Sequence, residues 1–314
     1  MRRVGIEESK RKSRLKRQAL PELFAAVTPG CELQRAIQPG ASSRPLVAAL
    51  RAPSREDRTD RSMTAIEPDA SAGSPQHSFP ASVLLHLFPG ALAVIVYAPA
   101  APLAQRYGLP PLFVLTAVAL VVLAPVELGH LLITAKRRTG SWSLRTVVGL
   151  RQPQRAWRYV LIVPSLVAMS IALYALSLPL DLWFSHRFLA WLPSWFVYSD
   201  IKQYAHYGRG VIVLTLSLRF VADVLVVPHI EELYFRGYLL PRIPGPAWLA
   251  PIVNAALFAI YHFWQPYNWP TIFCFLLPMI FAVWYFKDVR LGIYTHVALN
   301  LIGFVTTAIA IARL

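Results

Sequence analysis

The chain has 314 residues, 56% of them hydrophobic, and a formal net charge of +15. Its mean hydropathy of +0.46 is too high for an ordinary water-soluble domain. Two cysteines, Cys31 and Cys274, offer no ligand spacing and read as isolated thiols, and no glycine-rich phosphate loop is present.

The average hides a division. Residues 1–79 hold 14 Lys/Arg and 9 Asp/Glu, whereas residues 80–314 hold 17 and 7 over three times the length. The first segment opens on "ESKRKSRLKRQ" and runs on through Pro, Ser, Ala and Arg without a lasting helical or strand period. Such a segment cannot bury enough apolar surface to offset its ordering entropy, so a disordered basic tail is expected over 1–79. Glu7 and Glu8 fit poorly with an acid-poor transit peptide, and no apolar core follows the basic start as in a secretory signal. A start at Met63, where the composition changes, is an alternative reading of the same stretch.

Beyond residue 80 the apolar runs reach the length of about 20 residues that a bilayer crossing needs. The pattern predicts an all-α, polytopic bundle of seven to eight helices. Spans are expected near 82–103, 111–133, 159–181, 211–228, 246–263, 270–286 and 291–312. A further helix over 229–242 either continues the fourth span or breaks from it at Pro228. The stretch "VELGH" places Glu127 and His130 three apart in the second span, where a local hydrogen-bonded pair is expected.

The loop 136–158 carries Lys136, Arg137, Arg138, Arg145, Arg151, Arg155 and Arg158 with no acid, which assigns it to the cytoplasmic side. With the tail, it accounts for much of the positive charge. Anionic lipid headgroups explain that charge better than nucleic acid does. Proline-rich breaks such as "PRIPGPAW" mark turns, and the uncharged aromatic loop "FWQPYNWP" suits an outer interfacial rim.

The fourth hydrophobic run leads into "VVPHIEELYFRGYLLPRI", which places Glu231, Glu232 and Arg236 in apolar surroundings. A carboxylate at membrane depth is costly and usually faces a protein interior or a water cavity. Glu232 and Arg236 stand four apart with the acid on the N-terminal side, the favourable orientation for a helical ion pair. Glu231 lies about 100° around the helix and has no partner at that spacing. A helix starting at Pro228 would add its N-terminal dipole to this carboxylate. One paired and one free acid is what a general base with its support looks like, and it is also what a structural charge cluster looks like. Arg219 and Asp223, again four apart, read as a structural pair, and His229 lies beside the site.

Two further pairs bear on the choice. "FAIYH" puts Phe258 and His262 on one face of the fifth span, and "THVALN" puts His296 and Asn300 on one face of the last. At 1.5 Å per residue Glu231 lies about 16 Å above the turn at 242 and His296 about 9 Å above the loop at 290. His262 comes out at about 24 Å above 246, so its convergence needs tilt, a kink or a deeper turn.

In this order, "EELYFRG", Phe-x-x-x-His and His-x-x-x-Asn on successive hydrophobic helices resemble the CPBP family of CAAX proteases and bacteriocin-processing enzymes. The resemblance covers about 210–304 and has no counterpart in residues 1–79. It implies a helical intramembrane endopeptidase in which Glu231 activates water, with Glu232 and Arg236 in support. His262 would position water or substrate, and His296 with Asn300 would stabilise the oxyanion. The substrate implied is a membrane-associated peptide or protein, lipidated or not, and the setting a bacterial inner membrane.

The chemistry needs no metal: a carboxylate can take a water proton and return it to the leaving amine. Two histidines and a glutamate could instead bind zinc and leave a position for water. The absence of a His-Glu-x-x-His helix, and the amide of Asn300, favour the metal-free scheme. A transporter relaying ions through these groups, or a membrane immunity protein, remain alternatives of another class. A transporter would be expected to show repeated halves with paired broken helices, which the sequence lacks.

Overall fold

The computed structural model describes residues 75–198 and 200–314. Of the basic tail expected over 1–79, residues 1–74, with Cys31 and Met63, lie outside the described residues, while Ser78 and Phe79 already form the start of the first helix. Seven helical segments follow: α1 (Phe79–Arg106), α2 (Pro111–Thr139), α3 (Ala156–Phe188), α4 (Arg209–Arg242), α5 (Ala250–Tyr261), α6 (Trp269–Phe286) and α7 (Val289–Ala312). All but α5 are long and apolar enough to cross a membrane, and the chain is a multi-pass membrane protein. There is no β-strand among the described residues, only one isolated bridge between Arg151 and Asp288.

The helix ends follow local chemistry. Ser78 caps α1, its hydroxyl accepting from the amide of Ala81 at 3.4 Å, and Pro80 sits in the first turn where no amide is needed. Gly140 ends α2 in the left-handed conformation at φ 72°, just after Lys136, Arg137 and Arg138, whose charges suit a helix C-terminus. Asp288 caps α7 by accepting from the amide of Arg290 at 3.1 Å, and it also accepts from the Tyr159 hydroxyl.

Two features matter for the site. The stretch 209–242 is one helical path, the continuous one of the two alternatives, so no helix starts at Pro228 and no N-terminal dipole acts on Glu231. Proline is accommodated because the turns before it, Phe220–Val226, are π-helical, as are Glu232–Leu239 after it. The run expected as a fifth span over 246–263 contains a helix of only 12 residues. At about 18 Å it falls short of a hydrocarbon core of about 30 Å.

The basic loop is folded against the helix ends rather than free. Val147, Val148 and Leu150 are buried, the Val289 amide donates to Leu150 O at 2.7 Å, and the Gln152 amide to Lys287 O at 2.9 Å. The loop and the α6–α7 turn therefore share one face of the molecule, which makes α5 the ascending arm of a hairpin that α6 completes. The aromatic loop 263–268 is not an open rim. Trp264 and Tyr267 are buried, and Gln265 accepts from the Tyr198 hydroxyl at 2.6 Å. Helix α3 packs along α6 and turns Val160, Leu161, Leu176, Leu182 and Trp183 outward, as a lipid-facing helix should.

Candidate active site

The site grows out of the second π-helical stretch of α4. A π turn shifts the hydrogen-bond ladder, and its carbonyls need partners where water is scarce. Neighbouring elements supply them: Asn254 Nδ2 donates to Phe235 O at 3.1 Å, and the Gly149 amide to Gly237 O at 2.8 Å. Gly237 is required there, since a Cβ would come within 2.6 Å of Val148 Cγ1.

Glu232 and Arg236 are both completely buried, with Arg236 Nη1 3.3 Å from Glu232 Oε1, as their spacing predicts. The guanidinium also lies 4.0 Å from the centroid of the Phe258 ring. Phe258 is thus the apolar wall on which the cation rests, a contact that spacing along one helix could not reveal. Gly292 of α7 lies against the Glu232 carboxylate, where a Cβ would collide with Oε2.

His296 stands between the two glutamates. Its Nδ1 is 3.0 Å from Glu232 Oε1 and its Nε2 3.8 Å from Glu231 Oε2. A carboxylate only accepts, so Nδ1 carries the hydrogen. Nε2 can then donate only when the ring is doubly protonated. Glu231, 4% exposed, takes a hydrogen bond at 3.1 Å from the hydroxyl of Tyr261. The same hydroxyl is 2.7 Å from Glu127 Oε1.

His262 closes α5. Its Nδ1 donates to Phe258 O at 2.8 Å, leaving Nε2 with a lone pair when the ring is neutral. The shortness of α5 is what brings it into place: counted from Ala250 the rise is about 18 Å, close to that of Glu231, where the longer span expected had put it near 24 Å. Asn300 Nδ2 donates at 2.7 Å to the carbonyl of Asp223, in the first π-helical stretch of α4. One of its two amide hydrogens is so engaged and the other remains.

Glu231, His262, His296 and Asn300 all line one cavity of about 550 Å³, and Glu232 and Arg236 lie behind its wall. The six residues singled out in the sequence are therefore brought together. The cavity is otherwise largely apolar, with Leu115, Leu123, Ile272 and Phe275 among its lining, and Arg219, Asp223 and Gln265 add polar groups. The Arg219–Asp223 pair forms at 3.1 Å as expected, but it faces the cavity. His229 is exposed and takes no part in the lining.

The expected pairing of Glu127 with His130 does not form. Glu127 turns to Tyr261, while His130 packs edge-on against Tyr234 and Tyr238. Glu127 and Tyr261 are the site residues that sequence reasoning missed. The only signal was a buried-looking acid in the second span and a tyrosine next to His262.

Among the described residues no three His, Cys, Asp or Glu side chains are grouped so as to hold a metal ion. No curated protein and no solved structure matches the chain. Residues 213–302, the stretch that carries all three motifs, match the family described as type II CAAX prenyl endopeptidase Rce1-like, in agreement with their CPBP resemblance.

Proposed function

We propose that the protein is an intramembrane endopeptidase that hydrolyses a peptide bond of a membrane-associated substrate, with Glu231 as the base. The observation that carries this reading is the placement of one carboxylate on a largely apolar cavity with a second carboxylate, cation-paired, directly behind it. The family match of residues 213–302 supports a prenylated C-terminal peptide as the substrate class.

Glu231 Oε2 takes a proton from water as the oxygen attacks the scissile carbonyl. His262, through the Nε2 lone pair, accepts a hydrogen bond from the remaining O–H and so orients the nucleophile. The developing oxyanion is met by the remaining Asn300 N–H and, in the doubly protonated ring, by His296 Nε2–H, with Glu232 holding the ring in place through Nδ1–H. Glu231 then returns its proton to the leaving amine. Arg236 pairs with Glu232, and Glu232 in turn holds His296 in its orientation. No step in this scheme requires a metal. The basic tail and the loop 136–158 suit the cytoplasmic face of a bacterial inner membrane, held against anionic lipids.

The test is cleavage of a farnesylated C-terminal peptide by purified protein in detergent. Wild type should release the terminal tripeptide, and Glu231→Gln, which keeps shape and removes only the base, should not. Equal activity of the two would dismiss Glu231 as the base. No cleavage of prenylated peptide by wild type, with cleavage of an unprenylated one, would redirect the substrate class.

A further inference from the structure

The Tyr261 hydroxyl contacts two carboxyl groups, Glu127 Oε1 at 2.7 Å and Glu231 Oε1 at 3.1 Å. A hydroxyl has one hydrogen to donate, and an ionised carboxylate can only accept. With both acids ionised, one of the two contacts would set lone pair against lone pair in a buried site. Both contacts become hydrogen bonds only if one carboxyl carries a proton and donates it to the tyrosine oxygen.

The surroundings decide which one. Glu231 lines the cavity and has His296 Nε2 at 3.8 Å from its other oxygen. Glu127 is 1% exposed, its Oε2 accepts no hydrogen bond, and no Lys, Arg or His side chain of the described residues pairs with it. An ionised carboxylate there would be desolvated with one oxygen unsupported, whereas a neutral carboxyl leaves only a weak carbonyl acceptor without a partner. The charge count agrees. Glu232 pairs with Arg236 and Glu231 lies beside His296, so an ionised Glu127 would be the one of the three glutamates without a cationic partner among the described residues.

We infer that Glu127 is a protonated positioning residue: it donates to the Tyr261 oxygen and so directs the tyrosine hydrogen onto Glu231 Oε1. The chain of donors runs one way, from Glu127 through Tyr261 to Glu231, and leaves Glu231 as the acid that is ionised and free to accept from water on Oε2. This inference rests on the reading of Glu231 as the base, but its observable does not need turnover.

The experiment is infrared difference spectroscopy on the purified full chain in detergent, reading the carboxylic-acid C=O stretch. The wild-type spectrum should contain a band that is absent from Glu127→Gln and still present in Glu231→Gln. In Tyr261→Phe the band should move, because the Glu127 proton has lost its acceptor. Tyr261→Phe should also lower kcat about 10- to 100-fold with KM unchanged, the worth of one hydrogen bond to a charged group. If Glu127→Gln does not fold, the shift in Tyr261→Phe reads the same bond. A wild-type spectrum identical to that of Glu127→Gln in this region would mean Glu127 is ionised and would overturn the inference. So would a band lost in Glu231→Gln but kept in Glu127→Gln. Failure to cleave any peptide would sink the proposed activity and leave the band readable, so the two outcomes separate.

Discussion

His296 and Glu232 are joined at 3.0 Å through Nδ1, across the interface between α7 and the second π-helical stretch of α4. The contact makes Glu232 common to two partners, since Arg236 approaches the same Oε1 at 3.3 Å. Removing Arg236 would leave a fully buried carboxylate supported by one imidazole. Arg236→Ala is therefore expected to lower both folded yield and activity, by about 3–5 kcal/mol in stability, the usual cost of breaking a buried pair from one side. Arg236→Lys should recover part of the yield, because a point charge replaces the pair but not the planar contact with Phe258. Detergent-resistant monomer and cleavage rate, measured on the same preparations, check both. Wild-type yield of the alanine variant would show that the pair is not structural.

Gly292 offers a second probe. A Cβ at this position would strike Glu232 Oε2 and come within 3.1 Å of Val283 Cγ2. Gly292→Ala should push the carboxylate out of line with His296, at a cost of about 1–3 kcal/mol typical of overpacking. Activity should fall further than stability, since Glu232 sets the hydrogen on His296. A thermal unfolding midpoint and a kcat from one sample would show the ratio, and full activity would show that Glu232 has room to move.

The mechanism without metal makes a paired prediction. Asn300→Ala should reduce kcat by about 10²–10³ with little change in KM, as for other oxyanion donors. Incubation with a chelator should leave wild-type activity intact. Stoichiometric zinc in active protein, with activity lost on chelation and restored by zinc, would reverse the assignment and leave the peptidase reading standing.

A chain beginning at Met63 is expected to insert and cleave like the full one, because the composition changes there and the three motifs all lie beyond residue 210. Protease protection of membrane vesicles and the peptide assay test this. Loss of insertion would assign the basic segment a topological role.

Much of the site was legible in the sequence because it is local. Glu232 and Arg236, Phe258 and His262, and His296 and Asn300 each lie four apart, so helical spacing alone put them on shared faces. The relations between helices were not legible. Tyr261 reaches Glu127 over 134 positions, and nothing in either neighbourhood announces the other. Glu127 was instead matched to His130, the nearest polar group in sequence, and the fold turned it elsewhere. The continuity of α4 could not be decided. Pro228 allows a continued helix or a new start, and the wide turns before it let the chain pass through. The length of α5 was misjudged for a similar reason, since the apolar loop residues Phe263, half-buried, and Trp264, buried, look like a continuing span.

The shortness of α5 has a consequence for how the protein is made. A 12-residue helix is too brief to be threaded across a bilayer by itself. It can settle only against helices already in place, and one contact shows how closely. Gly90 of α1 lies against the Tyr261 carbonyl, where any side chain would collide. Since α5 ends on His262 and carries Tyr261, the group proposed to orient water and the donor to Glu231 arrive only with that docking. On the proposed mechanism a partly inserted chain would hold its acid without these two groups, and hydrolysis would have to wait for α5 to dock.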